Sequence, residues 1–206
     1  RQMCIRDRAK SSGVVIENKV NWLTNSIASF HTFFKSKFNL SVDTYLMFGF
    51  SGGSQFTHRY LMYGEDKAIE KAAIGSAGWY TFINNEQFPY GIKNMPLEPG
   101  RIEWLMSREV LFLLGDKDND PNHSSLNSSK GAREQGSNRL SRGWKYFNNL
   151  IKDPTQKQGT PGPKQTKPTL KFKKRSSDHF MTSAESSKRS SWIRLMFLDS
   201  HNTGSF

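Results

Sequence analysis

Three residues spread along the chain have the types and settings for nucleophilic acyl chemistry: Ser51, Asp118 and His201. Ser51 stands in Gly49-Phe50-Ser51-Gly52-Gly53, a Gly-x-Ser-x-Gly stretch. An apolar run at 45–48 precedes it and a helix-compatible stretch at 55–63 follows. Strand, tight turn and helix together make a nucleophile elbow, the plain alternative being an ordinary Gly/Ser turn. Such an elbow holds its serine in a strained backbone conformation, so Gly49, Gly52 and Gly53 are all expected to be small to let strand and helix come close. The serine then stands exposed at a helix N-terminus, where the N–H of Gly52 and the helix dipole stabilise a developing oxyanion. Asp116, Asp118 and Asp120 alternate just after a second apolar run, 110–114. Loops at the carboxyl ends of strands are where open α/β sheets keep functional groups, so these are candidates for a carboxylate that orients a histidine. The alternation also opens like a calcium loop, but the glycine at its sixth position and the glutamate at its twelfth are missing. His201 follows a third apolar run, 192–198. Serine, aspartate and histidine thus occur in that order, each just beyond an apolar strand.

The elements that must position these groups read as alternating helix and strand. Residues 14–38 carry Val20, Leu23, Ile27, Phe30 and Phe34 at spacings of three and four, which predicts a helix with one apolar face. His31 lies beside that stripe and reads as structural or surface rather than as a ligand. A short buried strand is predicted at 72–77, a loop at 81–99 with its prolines, and a short helix at 101–108. Val110-Leu111-Phe112-Leu113-Leu114 reads as a central parallel strand buried on both faces. Residues 129–151 read as one helix, with Leu140, Trp144, Phe147 and Ile151 on a shared face. The rhythm is that of an α/β sheet.

The chain has 206 residues, enough for one sizeable domain, and a formal net charge of +12. No apolar run approaches the roughly 20 residues of a membrane span. The single cysteine, Cys4, excludes an internal disulfide and a cysteine-based zinc site. Residues 1–8 resemble the in-frame translation of a transposon-end sequencing adaptor and are set aside from the domain, which reads as 9–151 plus 192–206. The true N-terminus is then expected to be missing, which leaves compartment undecided. Between the two parts, residues 152–191 are rich in Lys, Ser, Thr, Gln and Pro and read as a flexible basic insertion. They hold ten Lys/Arg against three Asp/Glu, so seven units of the net charge belong to this insertion and need not describe the core. Contact of its cationic cluster, Lys171 to Arg175 with Phe172, with nucleic acid or an anionic surface is the alternative from another functional class; nucleic acid is not the expected partner.

The chain resembles an α/β-hydrolase-fold serine hydrolase, and within that fold a bacterial group of polyhydroxybutyrate-depolymerase-like and esterase-like proteins. The match is carried by residues 48–59, by Ala77-Gly78-Trp79-Tyr80-Thr81 with Phe88-Pro89-Tyr90-Gly91, by residues 114–121, and by Gln135-Gly136-Ser137-Asn138-Arg139 with Arg142-Gly143. It ends in the last strand and His201. The chain departs from the group at Phe50, where a histidine is more usual, at Gly52-Gly53 in place of Ala-Gly, and at Leu198-Asp199-Ser200 in place of Pro-Gly-x-Gly.

The resemblance implies a partial parallel sheet flanked by helices, with the early strands missing. It implies Ser51 as nucleophile, His201 as base and Asp118 as the triad acid, with Asp120 in reserve. Gly52 would give one oxyanion N–H, and His58 would be structural. Metal and cofactor are not expected. The substrate that the resemblance implies is a small-molecule or polymeric carboxylic ester. Phe50, Trp79 and Tyr80 are candidates to line its pocket, and the aromatics after the elbow serve equally well as ordinary core. A second oxyanion N–H normally comes from the loop after the third strand, outside this chain. An exposed sheet edge and half an oxyanion hole are then expected, the latter costing about 10²–10³ in rate. A non-catalytic hydrolase-fold protein is the remaining alternative.

Overall fold

The computed structural model describes residue 16, residues 22–152 and the strand segments 183–184 and 193–198. The insertion read at 152–191 therefore lies outside the described residues except for Lys152 and Ser183–Ala184, as do residues 1–8 and His201.

The elements run α1 (Leu23–Lys37), β1 (Tyr45–Phe50), α2 (Gly52–Tyr63), β2 (Ile69–Gly75), α3 (Arg101–Met106), β3 (Glu109–Gly115), α4 (Lys130–Gln135), α5 (Arg139–Ile151), β4 (Ser183–Ala184) and β5 (Ile193–Leu198). The sheet order is β1-β2-β3-β5-β4. The first four of these strands are mutually parallel, and β4 adds an antiparallel edge. Parallel neighbours need crossovers, and the helices between them supply these.

One face of the sheet carries the core. Ala72 and Ile74 of β2 and Val110, Phe112 and Leu114 of β3 point to the side covered by Tyr60 and Leu61 of α2, Leu105 of α3, and Tyr146, Phe147 and Leu150 of α5. Burial in β3 alternates, with every second residue fully buried and the others half-buried. The expectation of a strand buried on both faces is thus corrected: among the described residues, helices cover one side of β3 completely and leave Leu111 and Leu113 partly open. On β1 the contrast is sharper. Leu46, Phe48 and Phe50 are 70, 64 and 59% exposed, while Gly49 between them is buried. Among the described residues β1 is also an edge of the sheet.

Helix α1 begins at Leu23, not at residue 14, because Trp22 is already extended backbone. Its predicted apolar stripe divides. Ile27 packs against the core and His31 lies on the Tyr45 ring at 4.8 Å, but Phe30 and Phe34 are exposed. The single helix predicted over 129–151 is two. A Cβ on Gly136 would meet Ser141 and the Arg142 backbone nitrogen, and Asn138 restarts the helix as its N-cap. The Asn138 side chain accepts from the Ser141 N–H at 2.8 Å while Ser141 Oγ accepts from the Asn138 N–H at 3.2 Å. This reciprocal capping satisfies two donors that a continuous helix would not have exposed.

Buried arginines hold the helices in place. Arg101 donates to the carbonyls of Leu61 (2.9 Å), Tyr60 (3.2 Å) and Asp66 (3.0 Å), closing the C-terminal end of α2, and its guanidinium lies over Trp104 at 3.8 Å. Arg142 donates to the carbonyls of Gly136 (2.8 Å) and Gly78 (2.6 Å), tying the start of α5 to the loop after β2. Gln135 makes a second tie, accepting from the Tyr80 N–H and donating to the Tyr80 carbonyl. Unpaired buried carbonyls each cost about 1–3 kcal/mol, so these side chains are what allows irregular loops to pack against the sheet.

Candidate active site

Ser51 sits between the last residue of β1 and the first of α2 with φ 51° and ψ −112°. That conformation is unusual for a residue with a Cβ and costs on the order of 1–3 kcal/mol, so the surroundings must hold it. Two backbone bonds do. The Ser51 N–H donates to the Gly75 carbonyl of the neighbouring strand at 2.9 Å, and the Ser51 carbonyl accepts from the Gln55 N–H at 3.2 Å. Ser51 is left exposed, at the N-terminal end of a twelve-residue helix.

Of the two motif glycines flanking the turn, only the first is needed for space. A Cβ on Gly49 would lie 2.6 Å from the Gly53 carbonyl carbon and closer still to Thr57 Oγ1, whereas one on Gly53 meets nothing within 4 Å among the described residues. The expectation that Gly53 must be small is corrected: strand and helix touch at Gly49, and Gly53 faces open space.

His58 fixes the elbow helix to the rest of the site. Its Nε2 accepts from the Thr81 N–H at 3.0 Å, so the proton resides on Nδ1, which donates to the Ser54 carbonyl at 2.9 Å. The ring is buried against Tyr80 and Tyr146. Burial, helped by the neighbouring Arg59 charge, pushes its pKa down to about 3, so it is a neutral structural group. This agrees with the structural role the resemblance implies.

Asp118 lies in the turn after β3. Its N–H donates to the Gly115 carbonyl at 3.2 Å and its own carbonyl accepts from the Leu140 N–H at 3.1 Å. Its carboxylate Oδ1 accepts from Arg139 Nη1 at 2.9 Å, both side chains being largely buried. The other two acids of the stretch are used locally. Asp116 Oδ1 accepts from the Lys117 N–H and Asp120 Oδ1 from the Asn122 N–H, each at 2.8 Å in an exposed turn. Sequence reasoning gave Arg139 no role; a lone arginine at a helix start carries no spacing signal, and its partner is 21 residues away.

His201 lies outside the described residues. The strand that leads to it is described: Leu198 pairs with Gly115 in the parallel β3–β5 ladder. Asp118 and His201 thus each stand three residues beyond one paired position on adjacent parallel strands. Ser51 follows β1, whose carboxyl end is at the same edge of the sheet.

The aromatic candidates separate. Phe50 is exposed beside Ser51, with its ring over Gly75. Trp79 is buried, with Arg59 over its ring at 5.0 Å and Tyr90 at 5.3 Å, and Tyr80 is fully buried and stacked on Tyr146 at 4.6 Å. Both are therefore core side chains among the described residues.

A parallel sheet with a strained serine elbow after one strand and a held aspartate after another is an α/β-hydrolase arrangement, in partial form. Comparison with solved structures bears out the fold. The chain superposes on the poly(3-hydroxybutyrate) depolymerase LpqC from Bordetella parapertussis with a TM-score of 0.71 and 18% identity, over 97% of this chain and 58% of that one. It also superposes on poly(aspartic acid) hydrolase-1 from Sphingomonas sp. KT-1 with a TM-score of 0.67 and 27% identity, over 74% of this chain and 58% of that one. The chain thus shares the fold of a depolymerase- and esterase-like group of hydrolases and spans little more than half the length of either. No family model and no curated protein matches it. Among the described residues no helix is long and apolar enough to cross a membrane.

Proposed function

We propose that the chain is the nucleophile-bearing part of an acyl hydrolase that cleaves a carboxylic ester through an acyl-enzyme. The observation that carries this is Ser51, exposed at the N-terminus of α2 in a backbone conformation that only a packed elbow maintains. His201 takes the Ser51 proton as Oγ bonds to the ester carbonyl carbon, and Asp118 holds the imidazole. The charge that develops on the carbonyl oxygen is met by the Gly52 N–H. Collapse breaks the bond to the alcohol, which leaves with the proton from the imidazolium. Water, activated by the same histidine, then attacks the acyl carbon and releases the acid. Asp118 is favoured over Asp120 because its carboxylate is held by Arg139 and three-quarters buried, whereas that of Asp120 closes its own exposed turn. The neighbour described as a poly(3-hydroxybutyrate) depolymerase supports an ester, and that described as a poly(aspartic acid) hydrolase shows the same scaffold on another polymer of acyl units. No metal or cofactor enters this mechanism, and Phe50 is the aromatic placed to touch a bound acyl group.

The test is covalent labelling of the chain by a fluorophosphonate probe. Ser51→Ala abolishes labelling; Asp118→Asn slows it by about 10²–10⁴-fold, the range of general-base catalysis, and Asp120→Asn leaves the rate within about twofold. Labelling that survives Ser51→Ala removes Ser51 as nucleophile. A reversal of the two aspartates moves the acid to Asp120.

A further inference from the structure

We infer that Arg139 is a positioning residue of this site, anchoring one oxygen of Asp118 so that the carboxylate cannot rotate and its other oxygen stays open; the inference rests on reading Asp118 as the triad acid. Arg139 is the first residue of α5, and its backbone is fixed by the Asn138–Ser141 capping and by the Arg142 tie to Gly78. From this fixed origin its guanidinium forks. Nη1 donates to Asp118 Oδ1 at 2.9 Å and Nη2 donates to Ser125 Oγ at 2.6 Å, the same hydroxyl lying 3.0 Å from His123 Nδ1. The next residue, Leu140, donates its N–H to the Asp118 carbonyl. Two consecutive residues of α5 therefore grip Asp118 by side chain and by main chain.

The pair is not an ordinary surface bridge. The side chains of Arg139 and Asp118 are 11 and 25% exposed, and a planar fork fixes both the position and the plane of the guanidinium. Among the described residues, Oδ2 of Asp118 accepts no hydrogen bond. An acid that orients an imidazole needs this division: one oxygen held so that the carboxylate cannot rotate, the other open to the ring N–H.

The experiment measures the rate of fluorophosphonate labelling of Ser51 for the native chain, R139Q, R139K, D118N and the double variant D118N/R139Q. R139Q is expected to label about 10²-fold more slowly, the cost of a small misplacement in a catalytic constellation. R139K, which keeps the charge without the fork, recovers part of the rate. The double variant labels no more slowly than D118N alone, since Arg139 acts only through Asp118. The inference is overturned if R139Q labels within twofold of the native chain. It is equally overturned if its loss multiplies with that of D118N, the pattern of a merely structural bridge. If R139Q fails to fold, R139K decides in the same way: a native rate refutes the fork. D118N labelling at the native rate overturns the triad assignment itself, a different result from an inert Arg139.

Discussion

Gly49→Ala will destabilise the chain by about 3 kcal/mol or more, a large part of a typical domain's 5–15 kcal/mol. The added Cβ lands on the backbone of Gly53 and on Thr57 Oγ1, both parts of α2, and Thr57 is itself fully packed. Neither contact is the free end of a long side chain, so relief requires the whole helix to move away from β1. That movement would pull on Ser51, whose strained backbone is held by bonds to Gly75 and Gln55, and on His58 further along the helix. Gly53→Ala is the matched comparison. It adds the same methyl group two residues beyond the serine, into open space and inside a helix, where alanine is preferred to glycine by up to about 1 kcal/mol. Urea unfolding of the two variants separates them: a sharply lower midpoint for Gly49→Ala and an equal or higher one for Gly53→Ala. Equal effects would mean that strand and helix do not meet at Gly49 and that the elbow is not closed.

That asymmetry shows where sequence reading reached and where it stopped. Gly-x-Ser-x-Gly between an apolar run and a helix was enough to place the elbow, because each part has a local cause: β-compatible residues, a turn, then helix formers. It could not say which glycine bears the contact, since that depends on the angle at which α2 leaves β1. The strands behaved alike. Apolar runs near 45, 72, 110 and 192 all became parallel strands, because a covered parallel strand must be apolar. The break at Gly136 was hidden because Leu140, Trp144, Phe147 and Ile151 keep helical spacing within α5 alone, so nothing in the periodicity required α4 to be separate. The α1 stripe misled in the opposite sense. Its spacing is correct for an amphipathic helix, yet Phe30, Phe33, Phe34 and Phe38 are exposed, since periodicity names an apolar face without naming what covers it. At the site, Ser51 and Asp118 were legible as residues at strand ends. The grip of Arg139 on Asp118 was not, because it joins two loops through a side chain whose direction only tertiary packing sets.

The second large effect concerns pH. His58 will make the fold acid-labile well above the range of carboxylate protonation. Its ring is neutral because Nε2 is committed to accepting from the Thr81 N–H, in a buried position beside Arg59. Protonation would remove that acceptor, leave a buried N–H facing a buried N–H, and place a second positive charge next to a guanidinium. The folded-state pKa is near 3, against an ordinary value of 6.5, so between these limits the unfolded chain binds a proton that the folded chain refuses. Stability is therefore fully present above about pH 6.5 and falls as pH drops toward 3, by about 1.4 kcal/mol per pH unit. Over the window from pH 6.5 to 4.5 the loss is about 3 kcal/mol. Urea unfolding of the native chain and of His58→Gln isolates this term. The variant starts lower at pH 7, because its amide fits the Ser54–Thr81 gap less well, but it lacks the titrating ring, so the gap between the two curves narrows by about 3 kcal/mol on reaching pH 4.5. Every other ionisable group is common to the two proteins and cancels in the difference. Parallel curves would place the His58 ring in water, and with it would go the bond that ties the elbow helix to the loop after β2. Narrowing curves would mean that the backbone strain at Ser51 is sustained by a core that excludes even one proton.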